Sequence, residues 1–202
     1  LVGDITADFR SKGLGHISEY MDDAKIARAR AGWKHRGEGR PSWAVAPGPG
    51  QESVWDYPRP PRIDPDSRLV RILLDGELIA ETRNAVRILE TASPPTFYVP
   101  PKDVRMELLE RAPGASICEW KGSATYWSLV RGQHVVPKVA WSYETPFPDF
   151  TSIRGYLSFY PSKLECYVDE TRVKPQPGDF YGGWITPEVV GPFKGDPGTG
   201  GW

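Results

Sequence analysis

Cysteine, histidine and methionine are scarce in this chain of 202 residues: two Cys, three His and two Met. Cys118 and Cys166 form no C-x-x-C pair, and His16, His35 and His134 are scattered. A structural zinc takes about four ligands, usually in close pairs, so no metal centre is expected. Two thiols build no disulfide framework either. They suit a reducing compartment, and a cytoplasmic protein is expected. No run of about 18 apolar residues occurs, so no segment is expected to span a membrane. The first twenty residues lack the apolar core of a signal peptide. An excess of one charge is also missing. With 25 Lys plus Arg against 26 Asp plus Glu, neither nucleic acid nor an anionic membrane is implied as a partner. Nothing matches G-x-x-x-x-G-K-[ST] or G-x-S-x-G. No alternation of strands and helices suggests a doubly wound nucleotide fold. No cofactor is expected.

Proline, glycine and aromatics are abundant: 21 Pro, 21 Gly, 8 Trp, 9 Tyr and 7 Phe. The aromatics supply a core that Pro and Gly alone would deny. Met21 reads as the natural start, making residues 1–20 an upstream extension or remnant. Residues 21–36 read as a short helix with acids first and bases last. Residues 37–65 are too rich in proline for a regular element, yet Trp43, Trp55 and Tyr57 call for burial. Residues 21–67 are therefore expected to form a helix plus a Pro-rich arm packed on the core. An antiparallel β core is expected over 68–173, and an arm anchored by Tyr181, Trp184, Phe193 and Trp202 over 174–202. Thr186, Pro187 and Gly191 could frame one helical turn at most.

Within the core, Asp75-Gly76 joins two apolar runs and predicts a hairpin. NAVRILE is the next strand. Pro94, Pro95, Pro100 and Pro101 are expected to leave only Phe97 to Val99 extended, and PPKDVRMELLER to form a turn and then a strand. Further strands are expected at 116–120, 124–130, 135–141, 155–160 and 164–168. The fold class is mainly β, with compact antiparallel sheets, a short N-terminal helix and ordered Pro/Gly-rich arms.

CEWKGSATYW, residues 118–127, concentrates the chemistry. If it is extended, Cys118 and Trp120 share one face and Glu119 and Lys121 the other. Cys118 is then a buried, inert thiol and Lys121 a solvated cation. A bend at Lys121-Gly122 would change both, with His134 as the base for a reactive thiol. Arg71, Arg87 and Arg105 lie among apolar strand residues. They either reach solvent or join Lys121 in an anion pocket.

The segments LVRILLDGELIAET, AVRILE, TFYVPPKDVRMELLE, CEWKGSATYWSL, AWSYETP and IRGYLSFYPSKLE occur in that order over roughly residues 68–167. Together they resemble a bacterial family known only as domain of unknown function 427. The flanks AVAPGPGQESVWDYPRPP and PGDFYGGWITPEVVGPFKG resemble extensions of its longer members. The resemblance implies a tent- or barrel-like arrangement of two small sheets. Cys118, Lys121, Gly122, Tyr126, Trp141, Tyr143 and Tyr156 match its recurrent positions. A nucleotidyltransferase label is attached to the family. Such chemistry needs paired carboxylates around Mg²⁺, and Asp64-Pro65-Asp66 in a proline-rich turn is no obvious pair.

The leading expectation is a domain that binds a small anionic or aromatic molecule between the sheets or under the N-terminal arm. Lys121, Arg71 and Arg105 would neutralise charge, and Tyr126, Trp141 and Tyr143 would stack. Two alternatives stand. One is an enzyme, with Cys118 as nucleophile, Lys121 as base or Schiff-base amine, or nucleotidyl transfer. The other is a scaffold whose PRPP strip is read by a partner as polyproline II. A homo-oligomer is compatible with all three.

Overall fold

The Asp75-Gly76 dipeptide reverses the chain as its sequence predicts. Both residues take left-handed φ, +51° and +79°, the geometry a two-residue hairpin loop needs, and Leu74 pairs with Glu77 across it. The computed structural model describes residues 23–178 and 180–202; a start at Met21 and the segment before it lie outside the described residues. Helix α1 spans Asp23–Ala31. Strands β1 (Glu52–Ser53) and β2 (Arg62–Asp66) follow. Then come β3 (Val70–Leu74), β4 (Glu77–Thr82), β5 (Ala85–Glu90), β6 (Ser93–Tyr98), β7 (Leu109–Cys118), β8 (Gly122–Arg131), β9 (His134–Ser142), β10 (Leu157–Phe159) and β11 (Glu165–Val168). The short strands β12 (Thr171–Arg172), β13 (Lys174–Pro175), β14 (Trp184–Ile185) and β15 (Val189–Val190) close the chain.

Three antiparallel sheets carry the fold, in the orders β10-β9-β8-β7, β12-β11-β3-β4 and β2-β5-β6. The fold is mainly β, and no sheet closes into a barrel. A bridge between Val99 and Leu157 links the third sheet to the first. Alternation along the strands sends Val70, Ile72 and Ile79 inward to meet Leu129, Val139, Leu157 and Phe97, all buried. Trp184 stacks on Phe97 with ring centres 4.9 Å apart, and its Nε1 donates to the Phe159 carbonyl at 3.0 Å. Among the described residues, no helix is long and apolar enough to cross a membrane.

Four local expectations need correction. The helix stops at Ala31 instead of running to residue 36; Arg36 folds back to donate to the Arg30 carbonyl at 2.7 Å, and Trp33 leaves the helical path. Pro94 and Pro95 lie inside β6, and Pro65 inside β2. Both strands are edges of their sheet, and β5 and β6 slip register between Ile88 and Glu90; edges and bulges are where a missing N–H does no harm. PPKDVRMELLER makes two 3₁₀ turns, Pro101–Asp103 and Met106–Leu108, before β7. Trp43 remains 46% exposed, stacked on Trp202 at 4.7 Å, whereas Trp55 and Tyr57 are buried.

The Pro/Gly-rich arms are ordered because they bind each other as well as the sheets. Parallel strands β1 and β15 pair, and Trp55 Nε1 donates to the Pro192 carbonyl at 3.0 Å. The second arm then passes over the Trp141 indole at Gly182. A Cβ there would lie 2.3 Å from the ring, so only glycine permits the approach. Gly182→Ala should therefore lower stability by about 1–3 kcal/mol through overpacking, read as an earlier urea midpoint.

Candidate functional site

The stretch CEWKGS is a hairpin turn, and this overturns the expected sidedness. Cys118 pairs with Gly122, leaving Glu119, Trp120 and Lys121 as a three-residue loop. Such loops close on a residue with positive φ, and Gly122 has φ +99°. The reversal buries Trp120 and brings Lys121 back beside Cys118, whose sulfur favours its charged form. Lys121 is 8% exposed rather than solvated. Cys118 is half-buried, while Cys166 is fully buried and its thiol is pushed up by burial. His134 starts the strand at the opposite end of β8. Nine residues of strand put it roughly 30 Å from the sulfur, so it is no base for this thiol.

Cys118 and Lys121 line a partly open cavity of about 210 Å³. Strands β5 and β6 contribute Ile88, Glu90 and Tyr98 to its wall, and β8 and β9 contribute Tyr126 and Trp141, with Tyr143 just beyond. The aromatic wall is held by hydrogen bonds. Trp141 Nε1 donates to the Tyr98 hydroxyl at 3.0 Å, and Tyr126 shares a 2.7 Å bond with Ser116. Burial pushes the phenols of Tyr98, Tyr143 and Tyr160 above the ordinary range, so all three keep their protons at neutral pH.

The arms supply the rest of the wall. Trp33 donates Nε1 to Glu119 at 2.6 Å, and Arg30 donates to the Glu119 carbonyl at 2.8 Å. The Arg59 guanidinium lies 4.1 Å from the Trp33 ring centre and the Lys194 ammonium 3.7 Å from it. Gln176 ties the second arm together. It donates to the Lys194 carbonyl at 2.7 Å and accepts from the Gly183 N–H at 3.0 Å.

Of the residues expected at a site, Cys118, Lys121, Tyr126, Trp141 and Tyr143 line this cavity. Arg71 and Arg105 do not. Val70 and Ile72 point into the core, so Arg71 points out of it, to the Asp169 carbonyl at 3.2 Å and Glu170 at 3.4 Å. Arg105 pairs with Glu77 at 2.7 Å and Glu107 at 3.0 Å on the surface. Arg87 is engaged by Glu52 and Asp66. Sequence reading does not single out Trp33, Arg59, Glu90, Gln176 or Lys194. The one local sign is a lysine set between Phe193 and Gly195 in an arm rich in glycine, proline and aromatics.

A family profile described as domain of unknown function (DUF427), with the short label NTP_transf_9, matches residues 62–170. The match spans more than half of the chain. The chain belongs to the DUF427 family. No curated protein matches it. The DUF427 region supplies Glu90, Tyr98, Cys118, Lys121, Tyr126, Trp141 and Tyr143. Trp33, Arg59, Gln176 and Lys194 come from outside it.

The two amines of the cavity are driven apart electrostatically. Burial alone would lower Lys121, but Cys118, Tyr98 and Glu90 reverse this and hold it above the ordinary lysine range. Lys194 is lowered to about 8, chiefly by burial and further by Arg59; Glu90, Glu119 and Cys118 oppose the shift without cancelling it. One group is a fixed ammonium. The other is partly a free amine near neutral pH, the kind of divergence that assigns different chemical roles.

An amine whose pKa falls on folding leaves the unfolded chain with the extra proton between about pH 8 and pH 10.5. For this group, stability therefore rises with pH across that window and is lowest below it. Lys194→Met should remove that slope, so the variant gains on the wild type as pH falls from 10.5 to 8. Urea midpoints of both proteins along that series measure the gain. A gap independent of pH would contradict the assignment.

Proposed function

We propose that the cavity binds a small anionic molecule, with the β core of 68–173 as its base and the two flanking arms as its cover. The supporting observation is the convergence of Lys121 and Lys194 on one cavity whose acids are already engaged. Glu90 is bonded to Arg59 at 3.1 Å and Glu119 to Trp33. Lys121 and Lys194 line the space with these two carboxylates, and Arg59, behind Glu90 and outside the lining, adds a third positive charge, an excess that an anion would balance. The volume of 210 Å³ lies below the ~300–1,000 Å³ of drug-sized sites, which favours a ligand of a few heavy atoms. The aromatic wall is packed on itself, with Trp141 and Tyr160 ring centres 4.6 Å apart. That favours an anion over an aromatic guest. Two free thiols fit a reducing, cytoplasmic setting.

Short carboxylates, inorganic phosphate and sulfate should be tested by thermal melting. An anion at about a hundredfold over its Kd adds about 2.7 kcal/mol, or roughly 5–10 °C for a chain of this size. Lys121→Met should abolish the shift. A wild type that no anion stabilises, or a variant that responds equally, would sink the proposal.

A thiol-dependent enzyme is favoured by one observation, the placement of Lys121 beside Cys118 at the cavity wall. Small alkylating reagents should label Cys118 in the native protein and Cys166 only after unfolding. Protection of Cys118 by a bound anion would place both in one site; a native protein inert at Cys118 removes the thiol reading. Nucleotidyl transfer finds less support. Arg62 binds Asp64 at 2.8 Å and Arg68 binds Asp66 at 2.6 Å, and among the described residues no three His, Cys, Asp or Glu converge as metal ligands. The PRPP strip is also engaged, with Arg59 and Pro61 buried.

A further inference from the structure

We propose that Lys194 captures a short 2-oxo carboxylate as a reversible imine, while Lys121 holds the carboxylate end. The inference rests on the anion-binding reading above and assigns the ligand its second functional group, a carbonyl.

Four observations carry it. First, Lys194 is 4% exposed and lines the cavity; its Nζ rests on the Trp33 ring at 3.7 Å, and among the described residues it makes no hydrogen bond or ion pair. A buried lysine is ordinarily paired with a carboxylate. Here Glu90 is taken by Arg59 and Glu119 by Trp33, so no carboxylate is bonded to the amine, which sits on the Trp33 ring at the cavity wall. Second, its backbone is fixed on both sides. The Lys194 N–H donates to the Ala92 carbonyl at 2.7 Å, and its carbonyl accepts from Gln176 at 2.7 Å. Ala92 is buried with φ +69°, a left-handed geometry unfavourable to a residue with a Cβ, and it persists within this docked turn. Third, desolvation and the neighbouring Arg59 guanidinium favour the free amine, the two means by which lysine nucleophiles are activated. Fourth, Lys121 supplies a permanent positive charge in the same cavity, which its pairing with Cys118 makes unsuitable as a nucleophile.

In the step itself, the lone pair of the neutral Lys194 amine forms a bond to the carbonyl carbon, giving a carbinolamine. The carbon–oxygen bond then breaks, and the oxygen leaves as water with the two amine protons. No oxidant or reductant is required, and the reverse reaction releases the ligand.

Pyruvate and glyoxylate serve as probes on the full chain, with borohydride to reduce any imine and peptide mapping to locate the adduct. The expected result is one adduct per chain at Lys194. At pH 7 its free-amine fraction exceeds that of an exposed lysine by roughly a hundredfold, so enrichment over surface lysines should be at least about tenfold. Lys194→Arg should form no adduct. Lys121→Met should lose both the adduct and the acetate-dependent rise in melting temperature. The wild-type map alone keeps the proposal falsifiable if either variant fails to fold. Acetate stabilisation without modification of the Lys194 peptide would overturn the imine and leave anion binding standing. No response to acetate, pyruvate or glyoxylate would overturn both.

Discussion

A guanidinium does not shed its charge, so a buried one forces its surroundings to answer every donor or lose several kcal/mol. The Arg59 side chain has no exposed surface. Its donors go to Glu90, the His35 carbonyl and the Thr91 carbonyl, at 3.1, 3.0 and 2.8 Å, and its flat face meets Trp33. Those four contacts join the N-terminal arm to β5 and to the turn after it. That same turn offers the Ala92 carbonyl to Lys194. Both arms are therefore organised around one buried cation, and the cavity beneath them takes its shape from that arrangement.

The charge of Arg59 also reaches the chemistry. By engaging Glu90 it leaves Lys194 without a carboxylate of its own, and by proximity it disfavours a second cation on the same indole. Lys121 meets the opposite circumstances a short way across the cavity, with a sulfur, a phenol and a carboxylate all favouring its proton. Two side chains of one type thus acquire different properties from what their neighbours have left unpaired. The DUF427 region contributes the fixed charge and the flanking arms contribute the adjustable one.

Local chemistry in the sequence announces local structure. Asp75-Gly76, the apolar alternation of β3 to β5 and the aromatic strands β8 to β10 are all readable because turn geometry and side-chain period are short-range. Cys118, Lys121, Tyr126, Trp141 and Tyr143 are visible as candidates because they crowd two segments. Their sidedness is not, since one hairpin loop of three residues reverses which groups share a face. Arg71 and Arg105 illustrate the converse: an arginine between apolar residues has the same pattern whether it faces solvent or a cleft. β6 is obscured by Pro94 and Pro95, whose tolerance depends on lying at a sheet edge, which only the tertiary structure decides. Lys194 and Arg59 are least legible, because each is defined by partners that no periodicity connects to it.

The glycines of the second arm show why closure and chemistry cannot be separated. A side chain at Gly182 would lift the arm from Trp141, and one at Gly183 would meet Gln176 Oε1 at 2.3 Å. Gln176 is the residue that fixes the Lys194 carbonyl. Loosening the arm would therefore admit water to the Lys194 amine, and hydration would return it toward the ordinary lysine range. The depressed basicity of Lys194 therefore depends on the same arm contacts that wall the cavity, so packing of the second arm and reactivity of the amine stand or fall together.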